Sequence, residues 1–193
     1  MNILRLRFLA AATFFVLLSF ANGVAQADQP TKPPFDLPAR FTAVAYTQSG
    51  ATQTFGVTIY VDAVSSEGEI EELAATLKQK GQDGLENAMD DLKDKGRVAP
   101  AASTGVGMEV VRIRPGKDGG YHIVLLGNRR IVFGSVSRVN NYKFSIVALN
   151  VDKDGKGTGL LAPACLIKFK NNKPEIENYG QKPLRLEAVK LQK

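Results

Sequence analysis

The 193-residue chain has one histidine, His122, one cysteine, Cys165, and no tryptophan. Each shortage removes a class of function. One His and one Cys cannot assemble a zinc finger or another His/Cys metal cluster. A lone thiol has no intrachain partner, so no disulfide forms within the chain and stability rests on packing. A Gly-x-Ser-x-Gly nucleophile elbow, a P-loop and a dinucleotide fingerprint are absent, and Ser103-Thr104-Gly105-Val106-Gly107 is glycine-rich but matches none of them. No cofactor and no metal is expected. Beyond the N-terminal segment no stretch is apolar for long enough to cross a bilayer.

What is present is a folding composition. The chain is 44% hydrophobic and 23% charged, which is globular rather than disordered. Its 25 Lys and Arg against 19 Asp and Glu make it mildly basic. That excess does not by itself name nucleic acid as a partner. Residues 1–27 have the order of a secretory signal: Arg5 and Arg7, an apolar run from Phe8 to about Leu18, and Ala25-Gln26-Ala27 as a small-x-small cleavage site. The expectation is a periplasmic or extracellular protein beginning at Asp28, with no integral membrane segment after cleavage. Residues 28–40 carry Pro30, Pro33, Pro34 and Pro38 and read as an extended tether. Residues 41–193 read as one β-rich domain.

Periodicity gives the outline of that domain. Phe41–Thr47 reads as a strand. In Thr54–Asp62, Phe55, Val57, Ile59 and Val61 share a face opposite Thr58, Tyr60 and Asp62. The period then becomes helical. Ser66-x-x-Glu69 is a capping box, Ile70, Leu73, Ala74 and Leu77 follow at helical spacing, and Gly81 supplies a left-handed stop. Asp83-x-x-Glu86 restarts the pattern, with Leu85, Ala88, Met89 and Leu92 on one side and Gly96 at the end. This predicts a helical hairpin over about 66–95. Glu86, Asp90, Asp91 and Asp94 would repel a phosphate backbone, so no nucleic acid partner is expected. After Gly96 the period returns to two, over Met108–Arg114, Gly120–Leu126, Arg130–Ser135, Tyr142–Val151, Gly159–Phe169, Pro174–Asn178 and Leu184–Leu191. Short turn-rich separators favour hairpins. The predicted class is α+β and β-rich: an antiparallel curled sheet or partly closed barrel of about nine strands, with the helical hairpin across an open end or one face.

Few residues offer chemistry. Asp152-x-Asp154-Gly155-x-Gly157 has part of a calcium loop, but Pro163 stands where an EF-hand needs its bidentate Glu, and a hairpin turn demands the same Asp and Gly. Cys165 shares an apolar face with Ile167 and Phe169, which predicts a buried, inert thiol. His122 shares its face with Val124 and Leu126, and a Cys165–His122 pair lacks any local sign of activation. Glu175 and Glu177 flank Ile176 and could serve glycoside chemistry, but near Lys170, Lys173 and Lys182 they read as a solvated face. The basic residues Arg112, Arg114, Arg129, Arg130 and Arg138 fall on consecutive strands or strand ends. Pairing of those strands could gather them, with Lys168 and Lys170, into a site for anionic lipid or acidic glycan, or leave them as ordinary outward charge.

The segments Arg40-Phe41-Thr42-Ala43, Lys80-Gly81-Gln82-Asp83-x-Leu85, Asp118-Gly119-Gly120 and Arg130-Ile131-x-Phe133 carry a resemblance. So do Tyr142-x-Phe144-Ser145, Asp152-Lys153-Asp154-Gly155-Lys156-Gly157-x-Gly159 and Ile176-Glu177-Asn178-Tyr179-x-x-Lys182-Pro183-Leu184-x-Leu186. In their order they resemble a family of uncharacterised exported bacterial proteins with no established activity. The resemblance implies export and a shared fold, transfers no functional residue, and is weak over Arg97–Thr104. Three functions follow as expectations. The first is a non-enzymatic envelope module that binds a lipid, a glycan or a partner protein at a barrel mouth or sheet face. The second is an enzyme of unfamiliar design using carboxylates and arginines. The third is an adaptor that docks through its helical hairpin.

Overall fold

The structure, a computed structural model, describes residues 35–47, 53–116, 119–133, 142–170, 173–178 and 182–192. The expected signal segment, most of the tether and Arg138 lie outside them. Among the described residues, ten strands and one helix follow in chain order. They are β1 (Ala39–Tyr46), β2 (Thr54–Val61), α1 (Glu67–Asp90), β3 (Gly96–Pro100), β4 (Val106–Met108) and β5 (Val110–Pro115). The rest are β6 (Tyr121–Gly127), β7 (Phe144–Val151), β8 (Lys156–Lys170), β9 (Lys173–Asn178) and β10 (Leu184–Gln192). All pairings are antiparallel, in the order β4-β3-β2-β1-β10-β8-β7-β6-β5, with β9 added on β8. The two ends of this order, β4 and β5, are separated in sequence by Glu109 alone. The sheet therefore curls back on itself into a nearly closed barrel.

Alternation fills the interior. Val57, Ile59 and Val61 of β2 point inward as their spacing predicts, and meet Phe41, Val98, Val111, Ile123, Leu125, Leu149, Leu161 and Leu186. Each such side chain contributes roughly 1.5–3 kcal/mol on burial. Both mouths are stopped. Beside the first residue of β1, Phe35 and Leu37 pack on the core, and the Phe35 ring meets Phe41 edge-on at 5.4 Å. Beside the other end of β1, Phe55 meets Phe133 at 5.3 Å and Ile131 is buried. Closure is helped by irregular pairing. β10 shifts register between Leu186 and Val189, where Ala188 has φ 51°, and β8 carries an extra residue around Pro163 opposite Phe144 and Ile146. Bulges of this kind bend strands, and a bulge is where a mid-strand proline fits.

Several expectations are corrected. The helical hairpin is one helical element, Glu67–Asp90, with a break inside it at Gly81 (φ 68°, ψ −159°), a conformation open in practice to glycine. Ser66 does cap it, accepting from Glu69 N at 3.2 Å, but the Glu69 carboxylate is held by Lys95 Nζ at 2.6 Å. Ala39 and Arg40 belong to β1 rather than to a tether. Residues 130–133 form no strand: Ile131 N bonds Pro163 O at 2.8 Å and the segment folds over a barrel mouth. Glu109 splits the strand expected over Met108–Arg114 into β4 and β5. β3 was not expected, because Gly96 looks like a helix stop. Its actual role is close approach, since a Cβ there would lie 2.4 Å from Tyr60 O.

Gly96→Val is therefore expected to lower stability by about 1–3 kcal/mol through overpacking. Gly68→Ala, on α1 with nothing within 4 Å of the added Cβ, should raise it by up to about 1 kcal/mol. Chemical denaturation of the two variants checks both signs.

Candidate functional site

Over much of β6 to β8 both sheet faces are apolar. β7, Phe-Ser-Ile-Val-Ala-Leu-Asn-Val, is buried at seven of its eight positions. Val147, Leu149 and Val151 face the barrel interior, while Phe144 and Ile146 face outward, under α1. A strand covered on both faces reads as a nearly unbroken apolar run. Above it, Ile70, Leu73, Leu77, Leu85 and Met89 form the inner stripe of α1, none more than 8% exposed. The helix thus packs on the outer sheet face and not across a mouth.

The fit is incomplete. Between α1 and the sheet lies a cleft of about 110 Å³. Leu73, Ala74 and Leu77 roof it, Val110, Val124, Leu126 and Ile146 floor it, and Ile167 and Ile176 of the β8–β9 hairpin close a side. Cross-strand register grades its floor from apolar to basic. Val110 faces Leu126, then Arg112 faces Val124, then Arg114 faces His122. The polar end is therefore built by Arg112, Arg114 and His122, which also line the cleft. His122 Nδ1 lies 2.7 Å from Asn150 Oδ1, which holds the ring in place at the cleft's polar end.

Of the five arginines singled out by sequence, the structure brings two together at this cleft. Arg112 is nearly covered, with its side chain 11% exposed, and Glu67 of α1 grips it with both oxygens: Nε meets Oε1 at 3.2 Å and Nη2 meets Oε2. Arg114 Nη2 approaches the same Oε2 at 3.8 Å. Arg129 and Arg130 follow β6 at its far end from His122, where Arg129 acts on Glu109. Lys168 pairs with Glu177 on β8–β9. Arg129 and Arg130 do not line the cleft, and Arg138 lies outside the described residues.

The acidic residues of α1 complete the docking. Glu67 meets Arg112, Glu69 meets Lys95, Glu86 meets Lys143, and Asp90 Oδ1 accepts from Asn128 Nδ2 at 2.5 Å. Water weakens the exposed pairs, so the apolar stripe supplies most of the attraction and the pairs set the helix's position. Arg112 differs, because an unpartnered charge at that depth would cost several kcal/mol, on the order of 3–5.

The remaining candidates are accounted for structurally. Asp152 Oδ1 accepts from Asp154 N at 2.8 Å and Lys156 N at 2.9 Å, which holds its pKa below the usual carboxylate value and ties it into the β7–β8 turn. Glu175 and Glu177 are exposed on β9. Cys165 is fully buried, and burial pushes its thiol up to about 12. It neighbours Phe144 whereas His122 neighbours Asn150, so they stand six positions apart along β7, roughly 20 Å of strand. The two do not form a dyad.

Sequence reasoning missed Glu109. It is 3% exposed at the barrel seam, where its Oε2 accepts from Asn128 N at 2.9 Å. Desolvation raises its pKa above the ordinary 4.5, Asp94 adds to the rise, and the Asn128 N–H and Arg129 oppose it. The available signal was a single acid inside an otherwise uncharged run, Val106–Val111.

Compared with known proteins, the chain matches no family model, no curated relative and no solved structure.

Two outcomes test this description. A carboxyl whose pKa is raised by folding keeps a proton that the unfolded chain has released. Its contribution to stability is then lost as pH climbs from 4.5 to the raised folded value, and is level above it. Glu109→Gln is expected to lack that fall while its amide oxygen still accepts from Asn128 N. Urea unfolding at stepped pH checks this, and equal slopes in both proteins would clear Glu109 as the source. Cys165 is expected to resist an aromatic disulfide reagent at about pH 8 in the native protein and to react fully in denaturant. Rapid native labelling would contradict its burial.

Proposed function

We propose that this protein is a non-enzymatic binding module of the bacterial envelope, exported through its N-terminal signal, which takes the apolar part of a ligand into the cleft beneath α1. The cleft itself carries this reading. A cavity of about 150 Å³ lined by aliphatic side chains is known to hold benzene, so about 110 Å³ with an open polar end accommodates a short aliphatic segment. Eleven apolar residues against Arg112, Arg114 and His122 favour a lipid-like group over a glycan, which would need polar groups along its length. The stopped barrel mouths turn attention to the sheet face. No helix among the described residues is long and apolar enough to cross a membrane.

The other two readings draw less support. An enzyme built on a pair of carboxylates would bring them together at the cleft, whereas Glu67 alone reaches its polar end, Glu109 sits at the seam and Glu175 and Glu177 lie exposed on β9. An adaptor docking through α1 would leave its apolar stripe outward, and that stripe is covered by the protein's own sheet.

Native mass spectrometry of protein recovered from the cell envelope is expected to show a bound species of small-molecule mass. Ala74→Phe projects a ring into the cleft from the roof and should abolish that mass while leaving the thermal midpoint within a few degrees. A bound mass that persists in Ala74→Phe would place the ligand elsewhere, and an empty wild-type protein that also ignores added apolar probes would overturn the reading.

A further inference from the structure

We propose that the ligand is a single-chain aliphatic carboxylate, whose tail lies under α1 and whose head takes the position on Arg112 and Arg114 that Glu67 now fills. The proposal rests on the binding-module reading and adds the chemistry of the head. Arg112 and Arg114 stand two residues apart on the outward face of β5, so both guanidinium groups reach one point at the polar end of the cleft. A carboxylate already occupies that point: Glu67 Oε1 is 3.2 Å from Arg112 Nε, Oε2 is held by Arg112 Nη2, and Arg114 Nη2 is 3.8 Å from Oε2.

The two partners differ in freedom. Arg112 has a side chain 11% exposed and is fixed by the sheet, while that of Glu67 is 56% exposed in the first turn of α1. Glu67 can swing to water; Arg112 cannot follow. An incoming carboxylate would restore the pairing that Glu67 gives up, so the covered guanidinium is never left without a counter-charge. A guanidinium pairs bidentately with carboxylate and phosphate alike, and it is the fit of the Glu67 carboxylate at this point that favours a head of the same size and charge.

Isothermal titration calorimetry of the purified protein with octanoate, octanol and octyl phosphate tests this. Octanoate is expected to bind about tenfold tighter than octanol, a difference of about 1.4 kcal/mol, and tighter than octyl phosphate. Glu67→Gln removes the internal competitor and should tighten octanoate severalfold without changing octanol. Arg114→Gln, on the exposed rim, should weaken octanoate severalfold more than it weakens octanol. Equal binding of octanol and octanoate, tighter binding of octyl phosphate, or weaker octanoate binding in Glu67→Gln would each overturn the carboxylate while leaving the apolar cleft as a binding site. Failure of all three probes to bind would instead remove the binding-module reading beneath it.

Discussion

Closure at Glu109 is the constraint on which the other features depend. β4 and β5 end opposite sides of the hydrogen-bonded order, yet a single residue joins them. A flat sheet would place these strands eight positions apart, so covalent continuity forces the sheet to curl until its ends meet. β4 and β5 do not pair with each other across the seam. Glu109 Oε2 takes the N–H of Asn128, and Ser65 bridges to Val111, donating its N–H to Val111 O at 2.8 Å and accepting from Val111 N at 3.3 Å. Lys95 adds a bond to Glu109 O at 3.2 Å and carries it to Glu69 of α1. The groups that close the barrel also anchor the start of the helix.

From that closure follows the two-sided sheet. Once the barrel interior is filled and its mouths are stopped by Phe35, Leu37, Ile131 and Phe133, the outward apolar face of β5 to β8 needs a cover. α1 supplies it. The helix places its apolar stripe on the sheet, and its flanking acids reach basic or amide groups below. The acidity that argues against nucleic acid thus has a structural cause. The break at Gly81 lets one helical element follow a curved surface, and the residual gap beneath its first half is the cleft.

Much of the fold was legible in the sequence because period-two alternation directly reflects which side of a strand faces a core. Val57, Ile59 and Val61 show this, as does the turn built on Asp152 and Gly155. The errors have one origin: local signals that are ambiguous without neighbours. Gly96 resembles a helix stop but serves close strand approach, and Arg130-Ile131-x-Phe133 alternates like a strand but plugs a mouth. The site was half legible. Arg112 and Arg114 stood out on one strand face, whereas Glu67 looked like ordinary first-turn acid. Nothing in the spacing could show that 45 residues of chain bring it onto Arg112.

The sequence by itself determined the β-rich character, the helical segment with its Ser66 cap and Gly81 break, the inert setting of Cys165 and the shortage of catalytic side chains, because each depends on residue type and local period. Tertiary structure alone decided the closure at Glu109, the side of the sheet that α1 covers, the separation of Arg129 and Arg130 from Arg112 and Arg114, and the cleft between them and the helix. These depend on strand order and register. A cross-strand neighbour is set by long-range pairing that local pattern does not encode, and a one-residue shift would have turned every one of these side chains to the other face.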